Sequence, residues 1–120
     1  MANIKHKMIS FNLDAKPLSV NKAWRGGARF RTNDYKDFEK EIVYQLPKIV
    51  ITGEVEMIYE FYIKTYNRTD VSNLIKCVED IIVKAGLIED DRKVVKLSAE
   101  KHKSDKQGIN IIIRSLEKMT

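Results

Sequence analysis

At 120 residues and 14.0 kDa the chain has room for one hydrophobic core, and the sequence predicts a single domain over residues 1–120. A hydrophobic content of 43% beside 32% charged residues excludes a disordered polymer, and no apolar run approaches the ~20 residues of a bilayer span. One cysteine, Cys77, excludes a disulfide framework and a Cys-rich zinc site, and the net charge of +5 is concentrated in residues 1–40, which hold nine cations and four acids. The opening stretch MANIKHKMISFNL has none of the zones of a secretory signal, so a soluble, cytoplasmic protein with no membrane association is expected.

Residues 4–13 alternate, with Ile9, Phe11 and Leu13 against Ser10 and Asn12, and predict a strand. Residues 14–31 contain Pro17, Gly26 and Gly27 with no sustained period and predict a long loop, which in so small a domain is usually functional. Thr32 or Asn33 caps a predicted helix running to about Leu46, with Tyr35, Phe38, Ile42 and Leu46 as its apolar stripe and Pro47 as its stop. Residues 54–65 alternate cleanly, with Val55, Met57, Tyr59, Phe61 and Ile63 on one side. From Ser72 the period changes to 3.6. Leu74, Ile75, Val78, Ile81, Ile82 and Ala85 form the stripe, Asn73, Lys76, Cys77, Asp80 and Lys84 the polar face, and Gly86 the C-terminal stop. Residues 93–101 and 107–116 predict two further strands joined by a polar turn. The fold class is α+β, a mixed sheet with two main helices in the order β-loop-α-β-α-β-β.

Two segments carry chemistry. Between Lys16 and Arg31 stand five cations and no acid: Lys16, Lys22, Arg25, Arg29 and Arg31, with Trp24 and Phe30 among them. Cations neutralise phosphates and flat rings stack on bases, so Lys22, Trp24, Arg25, Arg29, Phe30 and Arg31 are candidate DNA contacts; a solvated surface loop is the competing reading. The second segment is residues 67–91. Asp70 precedes the second helix, and Asp90 and Asp91 follow it. A helix of that length would hold the two acidic groups about 20 Å apart unless the chain after Gly86 folds back. If it does, carboxylates converge with Lys76 and suit magnesium, which activates water and stabilises a phosphodiester under attack. The competing reading makes Asp70 and Asp90-Asp91 turn residues, with Lys76–Asp80 and Asp80–Lys84 as i,i+4 surface pairs. His6 and His102 fit no metal-ligand spacing, and Cys77 has no adjacent histidine.

The run Asn67-Arg-Thr-Asp-Val-Ser-Asn-Leu-Ile-Lys76, then Glu79-Asp80, then Ala85-Gly-Leu-Ile-Glu-Asp-Asp91, resembles the RusA family of Holliday-junction resolvases. That family's pattern is D-x-D-N-x-x-K, an Asp one turn later, and an acidic pair after a Gly-containing turn. Pro17-Leu-Ser-Val-Asn21 with Trp24 is similar to the family's P-P-S-x-N segment, so the resemblance covers nearly the whole chain. It implies a magnesium-dependent homodimer, without an organic cofactor, that nicks four-way DNA junctions symmetrically in recombination and repair. Small resolvases of this type are often prophage-borne. It further implies catalysis by Asp70, Lys76 and Asp91, metal binding by Asp70 and Asp91 with Asp90 assisting, and supporting places for Asn73 and Asp80.

Ser72 stands where the pattern has its second Asp. As an N-cap, with its hydroxyl accepting from the Ile75 amide, it would serve the fold as well as Asp. Chemically it removes a charge and a strong ligand, which predicts a weakened nuclease. Three accounts stay open: the site works with more water, Asp90 or Asp80 substitutes, or the protein binds junctions without cutting them well. A basic RNA- or protein-interaction module is the reading from another class.

Overall fold

The order of elements in the computed structural model, which describes residues 8–25 and 30–117, follows the hydrophobic period of the sequence. β1 (Met8–Leu13) leads through a one-turn helix α1 (Val20–Ala23) into a minimal antiparallel ribbon, β2 (Trp24–Arg25) and β3 (Phe30–Arg31). Then come α2 (Asn33–Val43), β4 (Val55–Ile63), α3 (Ile75–Lys84), β5 (Val94–Lys103) and β6 (Gly108–Ser115). The expected α+β domain with a mixed sheet and two main helices is what forms.

The four-stranded sheet has the order β1-β6-β4-β5. β6 runs antiparallel to both β1 and β4, whereas β4 and β5 are parallel. A parallel pair needs a crossover, and the segment containing α3 supplies it. Alternation along β4 puts Val55, Met57, Tyr59, Phe61 and Ile63 into the core, where they meet Ile109, Ile111 and Ile113 of β6 and the stripes of both helices. Tyr59 and Phe61 stack with ring centroids 5.6 Å apart, as core residues. The opposite face of the sheet is polar. Glu56, only 7% exposed, is held there by Arg114 and by Lys96 at 3.8 Å.

Four local expectations are corrected. Residues 14–31 are not wholly irregular, since α1 and the β2–β3 ribbon form within them, tied to α2 by the Ala23 carbonyl accepting from the Thr32 amide at 2.9 Å. α2 stops at Val43 rather than Leu46. Leu46 nonetheless stays buried through a terminal turn in which the Gln45 amide donates to the Ile42 carbonyl. Cys77 is fully buried and Ala85 is exposed, the reverse of the helical-wheel reading. The small thiol fits the edge of a stripe of larger neighbours, and Ala85 lies beyond the last helical residue, where the chain turns. Finally, Ser72 does not cap α3. It lies inside a 3₁₀ turn, Val71–Leu74, that precedes the helix, and no side chain caps the Ile75–Lys84 segment.

The N-terminal part of the predicted first strand, residues 4–7, lies outside the described residues, as do His6, Gly26, Gly27 and Arg29.

Candidate functional site

Asp70 is positioned by the chain leaving β4. A 3₁₀ turn, Tyr66–Arg68, is closed by the Thr69 hydroxyl donating to the Thr65 carbonyl at 2.8 Å. From the neighbouring strand, the Lys101 ammonium donates to the carbonyls of Tyr66 at 2.7 Å and Thr69 at 3.0 Å, and it rests over the Tyr66 ring. A cation satisfying two carbonyls fixes the backbone immediately before Asp70. The Asp70 carbonyl then accepts from the Asn73 amide at 3.0 Å, while its carboxylate, which makes no cap bond, stays exposed. Lys101 was not legible in sequence, because its partners are backbone atoms more than thirty residues away.

The polar side of α3 carries Lys76, Glu79 and Asp80. Lys76 and Asp80 form an i,i+4 ion pair at 3.7 Å, with the Lys76 side chain 62% exposed. Glu79 is half-buried and accepts from the Tyr59 hydroxyl at 2.8 Å. Burial pushes the Glu79 carboxyl above its usual range; the Tyr59 bond opposes this, and the charges of Asp91 and Asp80 push it further up. Burial likewise pushes the Cys77 thiol up to about 12, with the nearby Asp80 adding to the effect, so the thiol is not a nucleophile.

The chain does fold back after α3. Gly86 takes φ +85°, a left-handed conformation that lets the Leu87 amide reach the Ile82 carbonyl at 3.2 Å. The return is anchored by the Ile51 amide donating to the Leu87 carbonyl at 2.7 Å and by Glu89 accepting from the Gly53 amide at 2.7 Å. A 3₁₀ turn, Asp91–Lys93, then packs against α3. Asp90 heads this turn, accepting from the Arg92 amide at 2.8 Å and pairing with its guanidinium at 3.1 Å. These Arg92 contacts hold the Asp90 carboxyl well below the usual carboxylate range. Asp91 is exposed, and its charge reaches Glu79.

Asp70 and Asn73 share a groove with Lys16, Lys22 and Arg68. The exposed Lys22 therefore lies along the same groove as Asp70, and Arg68 joins it as a cation that the sequence reading passed over. Arg31 lies over the Tyr35 ring at 4.8 Å, a cation–π contact that orients the guanidinium at the head of α2. The side chains of Trp24, Arg25 and Phe30, like the whole of Arg29, lie outside the described residues. Among the described residues Asp70 makes no ion pair with Lys76; Asp80 pairs with that lysine, and Glu79 also feels its charge.

Hard oxygen donors fit a magnesium-type ion. Asp70 and Asp91 offer exposed carboxylates, but among the described residues Asp70, Asp90 and Asp91 do not come together as a close ligand cluster. Ser72, exposed in the turn between Asp70 and Asn73, contributes a hydroxyl and no charge to this region.

Carboxylates and a lysine thus stand on and around one helix of this α+β domain, beside a groove whose lining mixes Lys16, Lys22 and Arg68 with Asp34, Asp37 and Glu41. Residues 15–114 match the family described as Endodeoxyribonuclease RusA, and the chain belongs to that family. Nucleases of this family are metal-dependent and of the Holliday-junction-resolvase type, which implies branched DNA as the substrate. No curated protein matches the chain. Among the described residues no helix is long and apolar enough to cross a membrane.

Proposed function

We propose that this protein is a magnesium-dependent resolvase that binds four-way DNA junctions as a homodimer and nicks two strands symmetrically. The observation that carries the reading is the return of the Asp91 turn onto α3, the helix that bears Lys76 and follows directly from the Asp70 turn. Asp70 and Asp91 hold the metal, with Asp90 assisting from the same turn. Bound magnesium supplies an activated water and screens the charge that grows on the phosphodiester. Lys76, kept in place by Asp80, neutralises the phosphate oxygens as they gain charge. Asn73, lining the groove beside Asp70, orients the backbone of that turn through its amide. Lys22, Arg25, Arg29 and Arg31 contact phosphates, and Trp24 and Phe30 meet exposed bases at the branch. A C2 dimer presents two equivalent sites to a two-fold substrate, which accounts for paired cuts.

The test is cleavage of a synthetic four-way junction by the purified chain, with Asp70→Asn and Asp91→Asn beside it. Metal-dependent nicks that both substitutions abolish are expected, together with a dimer in sedimentation. Undiminished nicking by either variant removes the assigned site. Tight junction binding with no nicks identifies a non-cleaving junction protein, and equal affinity for junction, linear duplex and single-stranded RNA identifies a general basic module.

A further inference from the structure

The polar face of the sheet, turned away from both helices, holds a second constellation. Glu60 of β4 and Glu100 of β5 are direct register partners, and so are Tyr62 and His102 two residues further on. One ligand atom from each of Glu60, Glu100 and His102 lies within 4.8 Å of the others. Carboxylates set side by side on adjacent strands repel one another. Among the described residues no ion pair engages Glu100. His102 Nε2 is shielded from solvent and makes no hydrogen bond, although it lies 3.5 Å from Glu60 Oε2. The donors are also held in place from outside. Asn110 donates to the other Glu60 oxygen at 2.9 Å, and the His102 ring stacks on Tyr62 with centroids 4.9 Å apart.

We propose that Glu60, Glu100 and His102 bind a divalent transition-metal ion, with zinc as the best match. Bonds of about 2.1 Å in tetrahedral geometry separate neighbouring ligand atoms by about 3.4 Å, close to the observed Glu60–His102 spacing. An imidazole beside two carboxylates suits zinc rather than magnesium, which prefers an all-oxygen shell and keeps several waters. Asn110 acts as the outer hydrogen bond that fixes a carboxylate ligand, and Tyr62 fixes the ring plane. The ion satisfies the shielded Nε2, cancels the Glu60–Glu100 repulsion, and ties β5, an edge strand, to β4. The site lies on the opposite side of the sheet from α3, so it is separate from the magnesium site proposed above.

The experiment titrates zinc alone into the full chain while following the His102 ring resonances by NMR and the melting temperature. Wild-type protein is expected to shift its His102 ring signals at micromolar zinc and to melt at a higher temperature. Glu100→Gln and His102→Gln should each weaken binding by about tenfold or more. Glu100 is exposed, so its substitution leaves the fold intact and reports on the ligand alone. Asp91→Asn should bind zinc at this site as wild type does. Ring signals unmoved up to millimolar zinc, wild-type affinity in Glu100→Gln, or loss of the His102 shift in Asp91→Asn would each overturn the proposal. Displacement of the zinc by millimolar magnesium would also overturn it, because it would deny the nitrogen ligand.

Discussion

The Tyr59 hydroxyl, at the centre of the sheet, donates a 2.8 Å hydrogen bond to Glu79 Oε1 on the polar side of α3. A fully buried tyrosine thus holds a carboxylate beside the Asp91 turn. Replacing Tyr59 by Phe leaves that half-buried carboxylate without its donor. A loss of about 1–3 kcal/mol is expected in urea unfolding, the range for an orphaned partner.

Glu79 makes stability depend on pH with a defined sign. Its folded pKa is raised above the ordinary 4.5, so the fold holds this proton more tightly than the unfolded chain does. The resulting stability is fully present below about pH 4.5 and is lost as pH rises through the folded value. Ionised Glu79 therefore weakens the fold at neutral pH. Glu79→Gln keeps an acceptor for Tyr59 and removes the charge. It should raise the melting temperature at pH 7 and give no gain at pH 4, with a gain below about 1 kcal/mol after solvent screening. An equal gain at both pH values would contradict the assignment.

Ser72→Asp tests the departure from the family's D-x-D-N-x-x-K motif. The side chain is exposed in the 3₁₀ turn and caps nothing, so the substitution should change stability by less than about 0.5 kcal/mol, the usual size for exposed positions. An added carboxylate near Asp70 should lower the magnesium concentration needed for half-maximal nicking and raise the rate. Removing magnesium with a chelator should abolish nicking in both forms while junction binding persists. If the chain nicks at full rate as it stands and the Asp adds nothing, another carboxylate already fills the role.

Lys101→Met removes the cation that bonds the Tyr66 and Thr69 carbonyls. The fold should lose about 1–3 kcal/mol, the scale of charge-assisted bonds to backbone. Junction affinity should stay close to wild type while the cleavage rate falls, because the backbone before Asp70 loosens. Single-turnover kinetics separate the two. A fall in affinity with an unchanged rate would assign Lys101 to DNA contact instead.

Salt dependence tests the basic segment. Replacing Lys22 and Arg25 together should weaken junction binding at low salt and reduce the slope of log affinity against log salt by about one per lost phosphate contact. An unchanged slope would make this segment ordinary surface. Lys16 and Arg68, which line the groove with Asp70, are the next pair to replace.

Periodicity determined the main elements and most of their inward faces. The alternation of Val55 to Ile63, the α2 stripe of Tyr35, Phe38 and Ile42, and the Gly86 stop all follow from local geometry, which a short window of residues contains. The spacing of Asp70, Asn73, Lys76, Asp90 and Asp91 left turn residues and surface pairs as a competing reading, and it was the resemblance of the whole motif that pointed to the family. Other features depended on tertiary structure. A period says which side of a strand is buried but not which strand lies beside it, so the sheet order β1-β6-β4-β5 was not legible. Nor, for that reason, were the Glu60–Glu100 pairing or the reach of Lys101 across to Tyr66 and Thr69. Burial of Cys77 turned on packing at the margin of a stripe, and Ser72 lost its capping role because the chain winds a 3₁₀ turn before α3. The return of Asp91 toward Glu79 rests on long-range anchors, the Ile51–Leu87 bond and the Glu89–Gly53 bond. Contacts between residues more than thirty positions apart form only when the whole core closes, and no local pattern encodes them.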